Sequence, residues 1–205
     1  MIDRHLLPLQ RRICEPAARR LVAAGISADA ITLAGFAVGL GGVAAIASGS
    51  YVPGLVLILA NRALDGLDGA VARLVGPTDR GAYLDIALDF AFYALVPAAF
   101  AIADPSANAL AASVLVATFM ATGSAFLAFA AVAARRGLAA DAYPGKGIYY
   151  LGGLAEGTET ILFFVACCVW PASFATFAWI FAALCALTAV GRWTAGWRSF
   201  GPRDQ

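Results

Sequence analysis

Charge is scarce in this chain. Only 13% of its 205 residues are charged, and 61% are hydrophobic. Soluble domains carry roughly 25% charged residues, and the mean hydropathy here is +0.80. These values predict an integral membrane protein. The net charge of +1 provides no basic surface of the kind that nucleic acid requires, so nucleic-acid binding is not expected.

Cysteine is also sparse, and none of the four cysteines forms a CxxC pair. They are Cys14, Cys167, Cys168 and Cys185. A disulfide framework or a zinc site is therefore not expected, and the cysteines are interpreted as small buried hydrophobic residues. The first residues lack an uninterrupted apolar stretch and a small-residue cleavage site, so no cleavable signal peptide is predicted.

The chain is rich in long apolar stretches. Six of them follow residue 25, at about 28–49, 52–74, 82–103, 108–134, 148–169 and 172–193. Each is long enough to cross a bilayer core, which takes around 20 helical residues. We predict an all-α integral membrane fold in which six transmembrane helices form one catalytic domain over residues 26–205. Gly35 and Gly39 form a GxxxG motif that permits close helix packing.

Residues 1–25 form a separate segment that is too polar to span the membrane. Apolar residues recur there at steps of three and four, namely Leu6, Leu9, Ile13, Ala17 and Leu21. Most arginines lie off this stripe, which predicts an interfacial amphipathic helix on the lipid surface. Pro16 is expected to divide it into two short helices. A frayed polar tail is the alternative.

The positions of Lys and Arg predict the orientation in the membrane. They precede the first span, lie in the second and fourth connectors, and end the chain. Because cytoplasmic loops are enriched in these residues, both termini and the even-numbered connectors are predicted to be cytoplasmic. We expect a multi-pass protein of a bacterial-type inner or plasma membrane.

Four acids within the second and third spans are the most unusual feature. Asp65 and Asp68 are three residues apart, and Asp85 and Asp89 are four apart, so each pair shares a helix face. Antiparallel spans would bring all four together near the cytoplasmic surface. Such carboxylates require a counter-cation, and hard oxygen ligands suit Mg²⁺ or Mn²⁺. The alternative is a cluster neutralised by arginines, with Arg62 one turn away.

The residues around these acids complete a recognisable pattern. Asp65-x2-Asp68-Gly69-x2-Ala72-Arg73 is followed by Gly81-x3-Asp85-x3-Asp89. This resembles the motif of the CDP-alcohol phosphotransferases, and every specified residue is present. The family pattern has one residue more between Arg73 and Gly81, which affects the loop rather than the carboxylates.

The resemblance implies a reaction and a set of roles. The family transfers a phosphatidyl-type group from a CDP-linked lipid, such as CDP-diacylglycerol, to an alcohol and releases CMP. Two Mg²⁺ or Mn²⁺ ions are expected at Asp65, Asp68, Asp85 and Asp89, with Asp89 also serving as general base. The residues expected at the CDP-lipid are Asp29, Ala30, Ile31, Thr32, Gly69, Ala72, Arg73, Thr78 and Gly81. Asp29 and Thr32 have an alternative role in capping the first span. A homodimer is also implied.

The alcohol acceptor is less clearly encoded. Basic residues that could bind a phosphorylated acceptor are Arg135, Arg136, Lys146 and Arg192, and positive-inside anchoring is the alternative role for them. Glu156 and Glu159 are three apart and are expected to share a helix face. They would contact the acceptor or pair with Arg62.

Two other protein classes also place carboxylates in membrane helices. A UbiA-like prenyltransferase uses intramembrane aspartates and Mg²⁺, but usually has more spans and lacks the D-G-x2-A-R pattern. A non-enzymatic cation transporter would require acids near the midplane, whereas these lie toward one face.

Overall fold

The computed structural model describes residues 3–137 and 153–201, with side chains from residue 13 onward, and these ranges contain helices and no strand. The helices are α1 (Asp3–Ala23), α2 (Ala28–Ala47), α3 (Tyr51–Val75), α4 (Asp79–Ala103), α5 (Pro105–Arg135), α6 (Gly157–Val169) and α7 (Phe174–Ser199). A short 3₁₀ turn, Pro171–Ser173, precedes α7. The all-helical expectation is confirmed.

Among the described residues, four helical segments are long and apolar enough to cross a membrane: α2, α4, α5, and α7 together with its preceding turn. Helix α3 is as long as α4, at 25 residues each. The charged residues of α3 extend from its middle to its last turn, whereas those of α4 all lie in the first half of that helix. The protein is therefore a multi-pass helical membrane protein. The predicted bounds of α2 to α5 lie close to the observed ones. Helices α4 and α5 begin earlier than predicted because Thr78 and Asp104 cap them through bonds from Gly81 N and Ala107 N.

Helix α1 is continuous, so the prediction that Pro16 divides it is wrong. Ala18 is fully buried beside the proline and packs in one cluster with Ala70 and Val71 of α3, with the partly buried Cys14 against the same cluster. These contacts lie on both sides of Pro16. Packing against α3 therefore keeps α1 continuous, although proline removes one backbone hydrogen bond.

In the part of the fifth predicted span that the structure describes, the helix covers the 13 residues of α6. Residues 148–152 of that prediction lie outside the described residues, and residues 153–156 are not helical. Glu156 is the N-cap residue of α6, and Glu159 completes a capping box with it. The expectation that these two glutamates share a helix face is therefore wrong, because only Glu159 lies within the helix.

The segment 153–156 has each of its backbone N–H groups bonded to a side-chain oxygen. Gly153 N donates to Glu156 Oε1 at 2.8 Å, and Glu156 N donates to Glu159 Oε2 at 3.3 Å. The amides of residues 154 and 155 both donate to Thr188 Oγ1 of α7, each at 3.1 Å. These bonds satisfy the backbone where the helix has not yet begun.

The core joins α4, α6 and α7 through stacked phenylalanine rings. Phe100 stacks on Phe174 with ring centroids 4.4 Å apart, and Phe163 stacks on Phe181 at 4.6 Å. Such pairs add to the free energy gained from burial. They connect α7 to α4 and to α6.

Helix α2 packs closely against α3 and α4 through the GxxxG glycines. A Cβ added at Gly35 would lie 3.2 Å from Leu64 Cβ, and one at Gly39 would lie 3.0 Å from the Phe92 ring. The predicted close packing at this motif is confirmed. It brings the face of α2 that carries Thr32 against the acidic faces of α3 and α4.

Candidate active site

A pocket between α2, α3 and α4 contains all four aspartates of the predicted site. Its lining consists of Thr32, Gly35, Phe36, Asn61, Arg62, Asp65, Asp68, Asp85, Leu88, Asp89 and Phe92. Helices α3 and α4 both pack against α2, and the side chains of their acids meet in this pocket.

Three of these acids form a compact group. Asp65, Asp68 and Asp85 each offer a carboxylate oxygen, and these oxygens all lie within 4.8 Å of one another. Asp68 is buried, with 6% of its surface exposed. Hard carboxylate oxygens at this separation suit a small divalent cation such as Mg²⁺ or Mn²⁺. The residues present therefore fit the metal that the sequence pattern implies.

Thr32 fixes the buried member of this group. Its Oγ1 lies 2.6 Å from Asp68 Oδ2 and 3.1 Å from Ala28 O, one turn back on α2. A hydroxyl that holds a ligating carboxylate restricts its rotation. Helix α2 thereby takes part in the site.

The capping alternative for Asp29 and Thr32 is wrong. The N-cap of α2 is Ser27, whose hydroxyl accepts a hydrogen bond from Ala30 N at 3.3 Å. Asp29 lies in the first turn and forms an ion pair with Arg80 at the start of α4. Neither side chain caps α2: Thr32 bonds to α3, and Asp29 pairs with α4.

Asp89 does not belong to the group of three carboxylates. Its Oδ1 accepts a hydrogen bond of 2.9 Å from Arg62 NH2, and Arg62 NH1 lies 3.7 Å from Asp65 Oδ1. Arg62 therefore partly neutralises the cluster, as one interpretation of the sequence held. It pairs with these aspartates rather than with Glu156 or Glu159.

Residues expected at the CDP-lipid lie around the helix ends beside the acids. A Cβ at Gly81 would lie 3.2 Å from both Asp29 Oδ1 and Thr78 Oγ1, so the absent side chain lets α2 and α4 approach. A Cβ at Gly69 would lie 3.3 Å from Arg73 NH1. The arginine therefore lies over the glycine one turn before it.

Not all of that set faces the pocket. Ile31 is 5% exposed and packs in the cluster with Ala18, Ala70 and Val71. Ala30 is exposed and Ala72 is half-buried. Of the first-span segment, Thr32 lines the pocket.

The residues predicted for the acceptor are dispersed. Arg136 donates to Phe200 O at 3.1 Å, at the end of α7, and Arg192 is buried and bonds Thr122 of α5. Arg135 is exposed in the last turn of α5. Lys146 lies outside the described residues.

Asn61 is a pocket residue that the sequence interpretation missed. Only 3% of its surface is exposed, and its Nδ2 donates to Gly35 O of α2 at 2.9 Å. Its Oδ1 accepts from Arg62 Nε at 2.8 Å. A polar amide one turn before Asp65 in an apolar stretch was the available signal.

The chain matches the CDP-alcohol phosphatidyltransferase family model over residues 26–191, and it belongs to this family. Inner membrane protein YnjF of Escherichia coli (strain K12) is 52% identical over 197 residues, which cover 96% of each chain. Archaetidylinositol phosphate synthase of Methanothermobacter thermautotrophicus is 45% identical over 83 residues, covering 40% of this chain and 41% of that protein.

Solved structures share the fold. Mycobacterium tuberculosis phosphatidylinositol phosphate synthase (PgsA1) with CDP-DAG bound superposes with a TM-score of 0.75 at 24% identity, covering 95% of this chain and 98% of that chain. Its complex with manganese and citrate also gives a TM-score of 0.75 at 24% identity, over 94% and 92% of the chains.

Proposed function

We propose that this protein transfers a phosphatidyl-type group from CDP-diacylglycerol to an alcohol and releases CMP. The observation that carries the proposal is the convergence of Asp65, Asp68 and Asp85 on one point, with Asp89 in the same pocket. Membership of the CDP-alcohol phosphatidyltransferase family supports it, as does the binding of CDP-DAG by PgsA1.

The three clustered carboxylates would hold a divalent cation, and Asp89 would contribute to a second one. Such ions neutralise the diphosphate and stabilise the charge that develops on the CMP leaving group. The donor set is one that Mg²⁺ and Mn²⁺ both accept. The manganese complex of PgsA1 supports this assignment.

The side chains of this protein orient the substrates and move the proton. Asp89 accepts the proton of the acceptor hydroxyl while that oxygen bonds to the lipid-side phosphorus. The bond from this phosphorus to the bridging oxygen breaks, and CMP leaves with the electron pair. Arg73 donates hydrogen bonds to the diphosphate, and Gly69 leaves room for it beside the helix backbone. Thr32 keeps Asp68 directed into the pocket.

Other residues complete the binding sites in this proposal. At the CDP-lipid they are Asp29, Ala30 and Ile31 of α2, Ala72 of α3, Thr78 at the N-cap of α4 and Gly81 in the first turn of α4. On the acceptor side, Arg135 remains exposed and is the proposed contact for an anionic alcohol. Arg192 and Lys146 are further proposed contacts for the acceptor. Arg136, Glu156 and Glu159 contribute by fixing helix ends.

The proposal includes an orientation and an assembly. Six crossings, α2 to α7, would form one catalytic domain over residues 26–205, with residues 1–25 in the interface. Both termini and the active site would face the cytoplasm of a bacterial-type inner membrane. The distribution of arginine supports this orientation, since Arg73, Arg135 and Arg198 lie in the last turns of α3, α5 and α7. A homodimer is part of the same proposal.

Release of CMP by the purified protein tests the function. The protein in nanodiscs would be given CDP-diacylglycerol with Mg²⁺ or Mn²⁺ and, in separate reactions, inositol phosphate, glycerol phosphate, inositol or serine. We expect CMP release that depends on both the ion and one acceptor class. No release with any acceptor, together with consumption of a prenyl diphosphate or with ion flux in proteoliposomes, would overturn the proposal in favour of another class.

A further inference from the structure

A partly buried arginine lines the pocket. The Arg62 side chain is 15% exposed and forms an ion pair with Asp89, whose side chain is 29% exposed. The guanidinium carbon lies 5.0 Å from the centroid of the Phe92 ring and 5.6 Å from that of Tyr93. Charged side chains inside membrane helices are rare and are usually functional.

The guanidinium is fixed in orientation because all three of its nitrogens have partners. Nε donates to Asn61 Oδ1 at 2.8 Å, NH1 lies 3.4 Å from the Tyr93 hydroxyl, and NH2 donates to Asp89. Asn61 is itself held by Gly35 O of α2. A planar guanidinium group with such partners directs each of its N–H groups at one acceptor. The flexible ammonium group of a lysine does not have this fixed geometry.

This arrangement divides the four acids. Asp65, Asp68 and Asp85 share one point in space, whereas Asp89 is bound to Arg62 through Oδ1. Arg62 precedes Asp65 by three residues and lies outside the motif that runs from Asp65 to Asp89. The motif therefore does not account for the guanidinium group of Arg62 next to its last aspartate.

We propose that Arg62 is a positioning residue for Asp89. It holds Oδ1 in a fixed orientation, which leaves Oδ2 to accept the proton of the acceptor hydroxyl. As a positive charge next to Asp65 and Asp89, it also opposes the binding of a divalent cation at that end of the pocket. The catalytic part of this inference rests on the proposed function, whereas the part that concerns cation binding does not.

The test compares Arg62→Gln and Arg62→Lys with the unaltered protein and with Arg19→Gln. Arg19 pairs with the exposed Glu15 on α1, one turn away, and is a matched control outside the site. For Arg62→Gln we expect kcat to fall roughly 10- to 100-fold, because a misplaced reacting group costs about that much. KM for CDP-diacylglycerol should change less than about threefold, since KM would reflect binding alone. Arg62→Lys keeps the positive charge without the planar guanidinium group, and its kcat should lie between those of Arg62→Gln and the unaltered protein.

Mn²⁺ affinity, measured by electron paramagnetic resonance without substrate, gives the discriminating result. Loss of a positive charge a few ångströms away should tighten Mn²⁺ binding by about threefold to tenfold in Arg62→Gln, and less in Arg62→Lys. A residue that merely held the helices together would weaken Mn²⁺ binding when removed.

Two outcomes overturn the inference. One is an unchanged kcat in Arg62→Gln, and the other is Mn²⁺ binding that is unchanged or weaker. Should Arg62→Gln not fold, Arg62→Met also removes the charge and, with its long apolar side chain, provides the same two comparisons. If the unaltered protein releases no CMP from CDP-diacylglycerol, the proposed function fails, but the Mn²⁺ comparison still decides the role of Arg62 in cation binding.

Discussion

The Thr32 hydroxyl of α2 lies 2.6 Å from Asp68 Oδ2 of α3. This bond joins a helix without motif carboxylates to the most buried acid of the candidate metal group. It depends on the close packing at Gly35 and Gly39, since a bulkier interface would separate the two helices. The geometry of this candidate metal group is therefore a property of three helices, although the acids lie on two.

Thr32→Val should weaken Mn²⁺ binding by about 10- to 100-fold, the usual effect of removing a partner of a metal ligand. Valine keeps the shape but not the hydroxyl. Thr32→Ser keeps the hydroxyl and is the matched control. Titration of Mn²⁺ against both variants measures the effect, and equal affinities would refute a role for the bond.

Asp85→Asn should reduce Mn²⁺ affinity at least about 100-fold, because it removes a charged ligand rather than a partner of one. CMP release should be lost at ordinary Mn²⁺ concentrations and partly recovered at high ones. Asp79→Asn, in the first turn of the same helix but outside the group, is the control. Equal Mn²⁺ affinity of the two variants would contradict the assignment.

Asp89→Asn should lower kcat by at least about 100-fold, which is within the usual range for general-base catalysis. CDP-diacylglycerol should still bind, because Asp65, Asp68 and Asp85 remain. Equilibrium binding of the labelled lipid and CMP release would be measured on the same preparation. Undiminished CMP release by this variant would exclude Asp89 as the base.

Gly39→Ala should destabilise the protein by about 1–3 kcal/mol through overpacking. Its new methyl group would lie 3.0 Å from the fully buried Phe92 ring. Gly191 of α7 is the control, because a Cβ added there would meet no described neighbour within 4 Å. Gly191→Ala should therefore be neutral or stabilising by up to about 1 kcal/mol. Unfolding in detergent gives both values, and a similar loss in the two variants would contradict the packing explanation.

Much of the fold and of the candidate site could be predicted because the signals are local. Apolar length defined α2 to α5, and the motif identified the acids around Asp65 and Asp85 without three-dimensional information. The spacing of the glycines at Gly35 and Gly39 also predicted a contact that the structure contains.

What could not be predicted depends on partners distant in sequence. The role of Asn61, and the choice of Asp89 as the hydrogen-bond partner of Arg62, become apparent only when the helices are packed together. Pro16 was expected to break α1 because the buried contact of Ala18 is not encoded nearby.

The start of α6 was mispredicted for a related reason. Hydropathy treats residues 148–169 as one stretch, but the helix begins only where Glu156 and Glu159 form the capping box. The backbone amides of residues 154 and 155, which precede the helix, donate hydrogen bonds to Thr188, and this residue lies on another helix.

The shortness of α6 has a consequence for how the protein responds to its lipid. Thirteen residues span about 20 Å at 1.5 Å per residue, whereas the hydrocarbon layer is about 30 Å thick. Helices such as α5 can tilt when the surrounding acyl chains lengthen or shorten. The beginning of α6 cannot adjust in this way, because Thr188 ties its preceding backbone to α7. We therefore expect hydrophobic mismatch to be absorbed by the long helices, while the depth at which α6 begins stays constant.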